Sequence, residues 1–109
     1  MIVTEDNVSA ALGYLAADPH PLAYAEWELA KAKIAREGRW AELYLEMKGT
    51  IGEREARIQL DNEYGDLQYI EAEAFFKVAA EKARVKGADA TIEVWRTENA
   101  NARAAERVR

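Results

Sequence analysis

The chain has 109 residues, of which half are hydrophobic and 32% are charged, and it contains one His and no Cys. Twenty acidic and fifteen basic residues give a formal net charge of -5. This length predicts a single domain over residues 1–109, and the apolar content excludes an intrinsically disordered chain. The absence of Cys also excludes disulfides, thiol nucleophiles and Cys-ligated metal sites.

No segment of about 18 consecutive apolar residues is present, so we expect no contact with a membrane. The first residues have neither the basic nor the apolar region of a secretory signal, and we therefore expect a cytoplasmic location. Alanine and other good helix formers dominate the composition, while β-branched residues are scattered. The composition therefore predicts an all-α fold.

The first predicted helix is an acidic segment within residues 1–18. Thr4 is its expected N-cap, and apolar residues recur at helical spacing from Val8 to Leu15. We expect this helix to end at Asp18, because a residue that precedes proline disfavours α geometry. Pro21 then favours the start of a second helix.

The second helix is predicted from Pro21 to Lys48 and carries two apolar stripes. The inner stripe follows three- and four-residue steps and consists of Leu22, Ala25, Leu29, Ala32, Arg36, Trp40, Leu43 and Met47. A neighbouring stripe consists of Trp27, Ala30, Ile34, Ala41 and Leu45. Two stripes predict contacts with more than one neighbour, and Gly38 between them indicates either a kink or the close approach of another backbone.

A helix stop and a helix start follow each other directly after the second helix. Gly49 has the character of a C′ residue, and Thr50 with Glu53 has the spacing of a capping box. A short third helix is predicted to end near Leu60, with Asp61 or Asn62 as the cap of the next helix.

The fourth and longest helix is predicted to end near Glu98, unless Gly87 weakens or breaks it. Its core stripe consists of Leu67, Ile70, Ala74, Val78, Val85, Ala88, Ile92 and Trp95, with Glu81 as the one polar intruder. Residues 21–98 therefore predict an antiparallel helical hairpin with coiled-coil-like packing, and 99–109 form a basic C-terminal tail.

Such a hairpin cannot bury all of its large apolar residues by itself, because a thin chain of this size has a high surface-to-volume ratio. A second protomer is the simplest cover for them, and we predict a homo-oligomer. The expected interface residues are Trp27, Ile34, Tyr44, Phe75 and Phe76.

The net charge is confined to one part of the chain. Residues 1–28 hold five acids and no Lys or Arg, which leaves fifteen acids and fifteen bases in the rest. The C-terminal part combines an aromatic residue with arginines, a pattern that fits base stacking and phosphate contact. The candidate nucleic-acid-binding residues are Trp95, Arg96, Asn99, Asn101, Arg103, Arg107 and Arg109. The alternative is that Trp95 ends the helix core and that the arginines interact with the helix dipole.

Catalytic patterns are weak throughout the sequence. Ser9 is the only Ser and His20 the only His, so a catalytic triad and a cage of His ligands are both poorly supported. Acidic pairs such as Glu42 with Glu46 fit solvated helix faces better than magnesium ligands. We expect no enzymatic activity, no metal and no cofactor, and we rank a magnesium-dependent nucleotide hydrolase last.

Two segments resemble a group of small helical proteins encoded by tailed phages and prophages. They are Gly49-Thr50-Ile51-Gly52-Glu53-Arg54-Glu55-Ala56, followed by Tyr64, and Ile92-Glu93-Val94-Trp95-Arg96-Thr97-Glu98-Asn99-Ala100-Asn101. The resemblance covers about residues 20–103. A fainter similarity is to phage recombination mediators, which are small, helical and oligomeric and help to load a recombinase onto single-stranded DNA.

The resemblance implies a non-enzymatic accessory protein of DNA recombination in the host cytoplasm. Its expected partners are single-stranded DNA and a recombinase or single-strand binding protein. The alternative is a structural or inhibitory protein–protein interaction module that binds no nucleic acid and docks through its acidic first quarter on a basic protein.

Overall fold

A computed structural model describes residues 2–108, which form four helices and no strand. They are α1 (Glu5–Leu15), α2 (Pro21–Glu46), α3 (Ile51–Gln59) and α4 (Asn62–Val108). The prediction of an all-α chain, with a short first helix and a short connecting helix, is confirmed. None of these helices combines the length and the apolar content needed to cross a bilayer.

The described chain divides into two compact units. The hairpin unit is Leu22–Ala79, and the terminal unit contains residues 2–21 and 80–108. The prediction of one domain over residues 1–109 stays a prediction.

Three helix starts are capped by the residues expected from the sequence. Thr4 Oγ1 accepts a bond from the Asn7 amide (3.2 Å), and the Asn7 side chain accepts one from the Thr4 amide (3.2 Å). Thr50 Oγ1 accepts from the Glu53 amide (3.2 Å). This bond is one half of the predicted capping box. The other half, a bond from the Thr50 amide to the Glu53 side chain, is not among the contacts described for Thr50. Asp61 Oδ2 accepts from the Tyr64 amide (2.8 Å), which starts α4.

Within the hairpin unit, α2 and the first part of α4 run antiparallel. Arg36 bonds to Glu71, while Arg39, further along α2, contacts Asp61, earlier in the chain (Nε–Oδ2 3.3 Å). All eight residues of the predicted inner stripe of α2 are buried or half-buried. The predicted hairpin is therefore confirmed.

Helix α3 closes one end of the hairpin unit over its largest buried side chains. Ile58 is fully buried, and it forms a cluster with Leu43 and Tyr64. Gly49 makes the turn into α3 with a φ of 120°, a conformation that favours glycine. The Arg57 guanidinium bonds to the Lys48 carbonyl (2.9 Å) and holds α3 against this turn.

Within the terminal unit, α1 lies antiparallel to the later part of α4. The Tyr14 hydroxyl donates to Glu81 Oε2 (2.5 Å) near one end of α1, and the Val3 amide donates to Glu98 Oε2 (3.3 Å) near the other. The Tyr14 bond, with a smaller contribution from Arg84, lowers the pKa of Glu81. The polar intruder in the core stripe of α4 is thus the partner of a tyrosine on α1.

Two predicted helix ends are wrong. Helix α1 ends at Leu15 and not at Asp18, because Pro19 has no N–H to continue the helical bonds at the Leu15 carbonyl. Helix α4 runs through Gly87 and continues to Val108, ten residues beyond Glu98. Four alanines between positions 100 and 105 supply enough helix propensity to offset the asparagines. Helix α2 ends at Glu46, two residues before the predicted end at Lys48, and a difference of this size is usual between assignments of a helix end.

We predict that Ile58→Ala lowers the free energy of unfolding by about 2–4 kcal/mol, because it leaves a cavity in the α3 cluster. Ile51→Ala is the matched control on the same helix, since Ile51 is 63% exposed. It is expected to change stability by about 0.5 kcal/mol or less. Urea unfolding followed by circular dichroism measures both, and equal losses would contradict the buried position of Ile58.

The cap at Asp61 predicts a pH dependence. Its bond from the Tyr64 amide, and next the bond from Arg39, lower the pKa of Asp61 below its usual value of about 3.9. A lowered carboxyl pKa stabilises the fold above about pH 4, and this stabilisation is lost as the pH falls through the folded-state pKa.

We therefore expect Asp61→Asn, which keeps a capping side chain, to be less stable than the wild type at pH 6. The two urea midpoints should converge as the pH falls below about 4. Asp66→Asn, at an exposed position of the same helix, serves as control. If the difference in urea midpoint between the wild type and Asp61→Asn stays constant with pH, the carboxylate charge contributes nothing to stability.

Candidate functional site

The last part of α4 presents most of the predicted nucleic-acid-binding residues on one side. Trp95 and Asn99 are half-buried, while Arg96 and Arg103 are exposed. An open cleft of about 460 Å³ is lined by Trp95, Arg96, Asn99, Ala102, Arg103 and Glu106. Four of the seven predicted residues, all on successive turns of α4, therefore line the same open cleft.

The remaining three predicted residues do not line this cleft. Asn101 is exposed and, two positions after Asn99, lies on a different side of the helix. Arg107 is exposed in the last turn of α4, where a positive charge interacts favourably with the helix dipole. Arg109 lies outside the described residues.

The electrostatics of this surface are balanced rather than strongly basic. Between positions 93 and 107 the sequence has three acids and three bases. Arg96 contacts Glu93 (3.1 Å), an exposed pair of the kind that contributes little to stability. Arg103 Nε donates to the Asn99 carbonyl (3.4 Å). Both guanidinium groups can therefore exchange these contacts for a phosphate at small cost.

The hairpin unit carries a second candidate surface, made of large apolar residues. Trp27 and Ile34 lie on one side of α2 with exposures of 52% and 69%, and Phe75 and Phe76 are exposed on α4. Tyr44 differs from these, because it is half-buried, its ring stacks on Trp40 (4.9 Å between centroids) and the Arg54 guanidinium lies 5.1 Å from it. Four of the five predicted interface residues are thus available for a partner.

Two further contacts were not predicted from the sequence. The Arg84 guanidinium lies 4.4 Å from the Tyr14 ring centroid, and the ring of His20 meets that of Tyr14 edge-on (5.0 Å). Burial, and next the bond to Glu81, raise the pKa of Tyr14. Glu81 inside an apolar stripe was the only sequence signal of this cluster, and periodicity alone does not identify a partner on another helix.

No group of three or more acidic or His side chains within residues 2–108 is placed to hold a metal ion. Comparison of the chain with protein-family models, with curated proteins and with solved structures finds no match. The functional interpretation therefore depends on the two surfaces described above.

Proposed function

We propose that this chain is a non-enzymatic accessory protein of DNA recombination, similar to phage recombination mediators, that binds single-stranded DNA as a homo-oligomer. The observation that carries the proposal is the cleft at Trp95, Arg96, Asn99 and Arg103. An aromatic face beside arginines is the combination that single-strand binders use, because every base can stack and every nucleotide has a phosphate.

The mechanism we propose is multivalent. One cleft with balanced charge binds a single strand weakly, whereas several clefts on one oligomer act at a high effective concentration along the strand. A recombinase or a single-strand binding protein is the protein partner that this function requires, and the resemblance to recombination mediators supports it. The expected site of action is the cytoplasm of the host cell.

We predict that the triple variant Arg96→Ala, Arg103→Ala, Arg107→Ala binds labelled single-stranded DNA at least about tenfold more weakly at low salt. The loss of up to three phosphate contacts should also reduce the slope of log affinity against log salt by about two. Fluorescence anisotropy at two or more salt concentrations measures both quantities.

The matched control is the triple variant Lys77→Ala, Lys82→Ala, Lys86→Ala. It removes the same charge from exposed positions of the same helix, outside the cleft. It should keep most of the wild-type affinity. If both triple variants lose binding equally, general charge and not the cleft is responsible, and if the wild type does not bind, the DNA-binding proposal is wrong.

A second candidate function is an interaction module that binds no nucleic acid. The exposed apolar residues of the hairpin unit and the five acids of residues 1–28 favour it. The same titration separates the two functions, because an interaction module that binds no nucleic acid leaves DNA anisotropy unchanged even at low salt.

A further inference from the structure

The N-terminal end of α1 lies beside the cleft of the last part of α4, within the terminal unit. The Val3 amide donates to Glu98 Oε2 (3.3 Å), and Asn7 lines one groove together with Thr91. Because α1 and α4 are antiparallel, the segment between Val3 and Asn7 lies level with residues 91–98 of α4. The cleft begins within that range.

The cleft also continues the line of α4 residues beside which α1 packs. Steps of four and three residues extend the core stripe from Trp95 to Asn99, Ala102 and Glu106, and these four residues line the cleft. Earlier on the same line, Ala88 borders the groove beside α1. A strand bound in the cleft therefore lies next to the first turn of α1.

Contacts near both ends of α1 hold this turn in position. The Tyr14 hydroxyl donates to Glu81 Oε2 (2.5 Å) at the end that is remote from the cleft. At the near end, Val3 makes its bond to α4, and Val3 and Val8 are both buried. The first turn of α1 therefore stays beside the cleft in the folded chain.

Helix α1 reverses the net charge of the terminal unit. Residues 80–108 hold six Lys or Arg and five acids, a net charge of +1. Residues 2–21 add three acids and no Lys or Arg, so the net charge of the unit becomes -2. Two of these acids, Glu5 and Asp6, are exposed in the first turn of α1. Their two full charges outweigh the partial charge of about +0.5 that the helix dipole places at this end.

We infer that α1 is an autoinhibitory element of the cleft, in which the carboxylates of Glu5 and Asp6 repel the phosphates of a strand that stacks on Trp95. Exposed charges interact over about 10 Å at 0.1 M salt, and residues 91–98 span about the same length of helix. The inference rests on the proposed function, because it concerns the regulation of the same DNA-binding cleft.

The first test compares Asp6→Asn with Asp18→Asn, two identical substitutions at exposed positions. Asp18 follows the other end of α1, where Tyr14 contacts Glu81, about 21 Å before Trp95 along α4. That distance is about two Debye lengths at 0.1 M salt. Asp6→Asn should therefore tighten the binding of labelled single-stranded DNA about twofold, and Asp18→Asn should leave it nearly unchanged.

The double variant Glu5→Gln, Asp6→Asn should bind at least about threefold more tightly than the wild type at 0.1 M salt. The gain should almost disappear at about 0.3 M salt, because the repulsion is then screened. Fluorescence anisotropy measures the affinities. Circular dichroism checks that the variants keep their helix content, since the Thr4 cap of α1 is left intact.

Each contrary result has a distinct meaning. If Asp18→Asn tightens binding as much as Asp6→Asn, the net charge and not the position of α1 is responsible, and the inference is wrong. It is also wrong if the gain of the double variant persists at high salt. If the wild type binds DNA and no variant binds more tightly, the inference fails while the proposed function stands. If neither the wild type nor any variant binds DNA at low salt, both fail.

Discussion

The hairpin unit depends on the seam between α2 and the first part of α4, where three of the six buried residues are alanine. Ala25, Ala32 and Ala74 are buried there, whereas several large apolar residues of α2 and α4 are exposed, among them Trp27, Ile34, Phe75 and Phe76. Small residues let two helices approach closely, but each buries little apolar area and contributes little hydrophobic free energy. The alanines therefore let the helices approach closely but bury little apolar area, and the second stripe of α2 stays exposed.

Two features compensate for the weak seam within the chain. Leu43, Ile58 and Tyr64 concentrate the larger buried side chains at the end that α3 closes. Arg36 and Arg39 reach across from α2 to acids of α4 and of the preceding turn, and their bonds to Glu71 and Asp61 raise both arginine pKa values. One end of the hairpin is thus fixed by packing and capping, while the rest of the seam combines buried alanines and Val78 with half-buried leucines and partly exposed ion pairs.

The sequence predicts this architecture well where local chemistry decides it, as at the caps Thr4, Thr50 and Asp61 and along the inner stripe of α2. Prediction from the sequence fails where a contact between distant residues, or the helix propensity summed over several residues, determines the structure. The fourth helix was expected to end near Glu98, but the alanines from position 100 onward continue it to Val108. Periodicity also located the second stripe of α2, yet it could not show that the stripe stays exposed, because burial depends on which helix packs beside it.

The balanced charge of the last part of α4 connects the proposed oligomer with the proposed DNA binding. With three acids among three bases between positions 93 and 107, one cleft attracts a phosphate backbone only weakly, since affinity for nucleic acid grows with the number of neutralised phosphates. A single chain with an acidic first quarter is then a poor DNA binder. The oligomer proposed above would carry one such cleft on each chain, so that several weak sites act on the same strand. Weak individual sites also permit release, which the proposed role as a recombination mediator requires as much as binding.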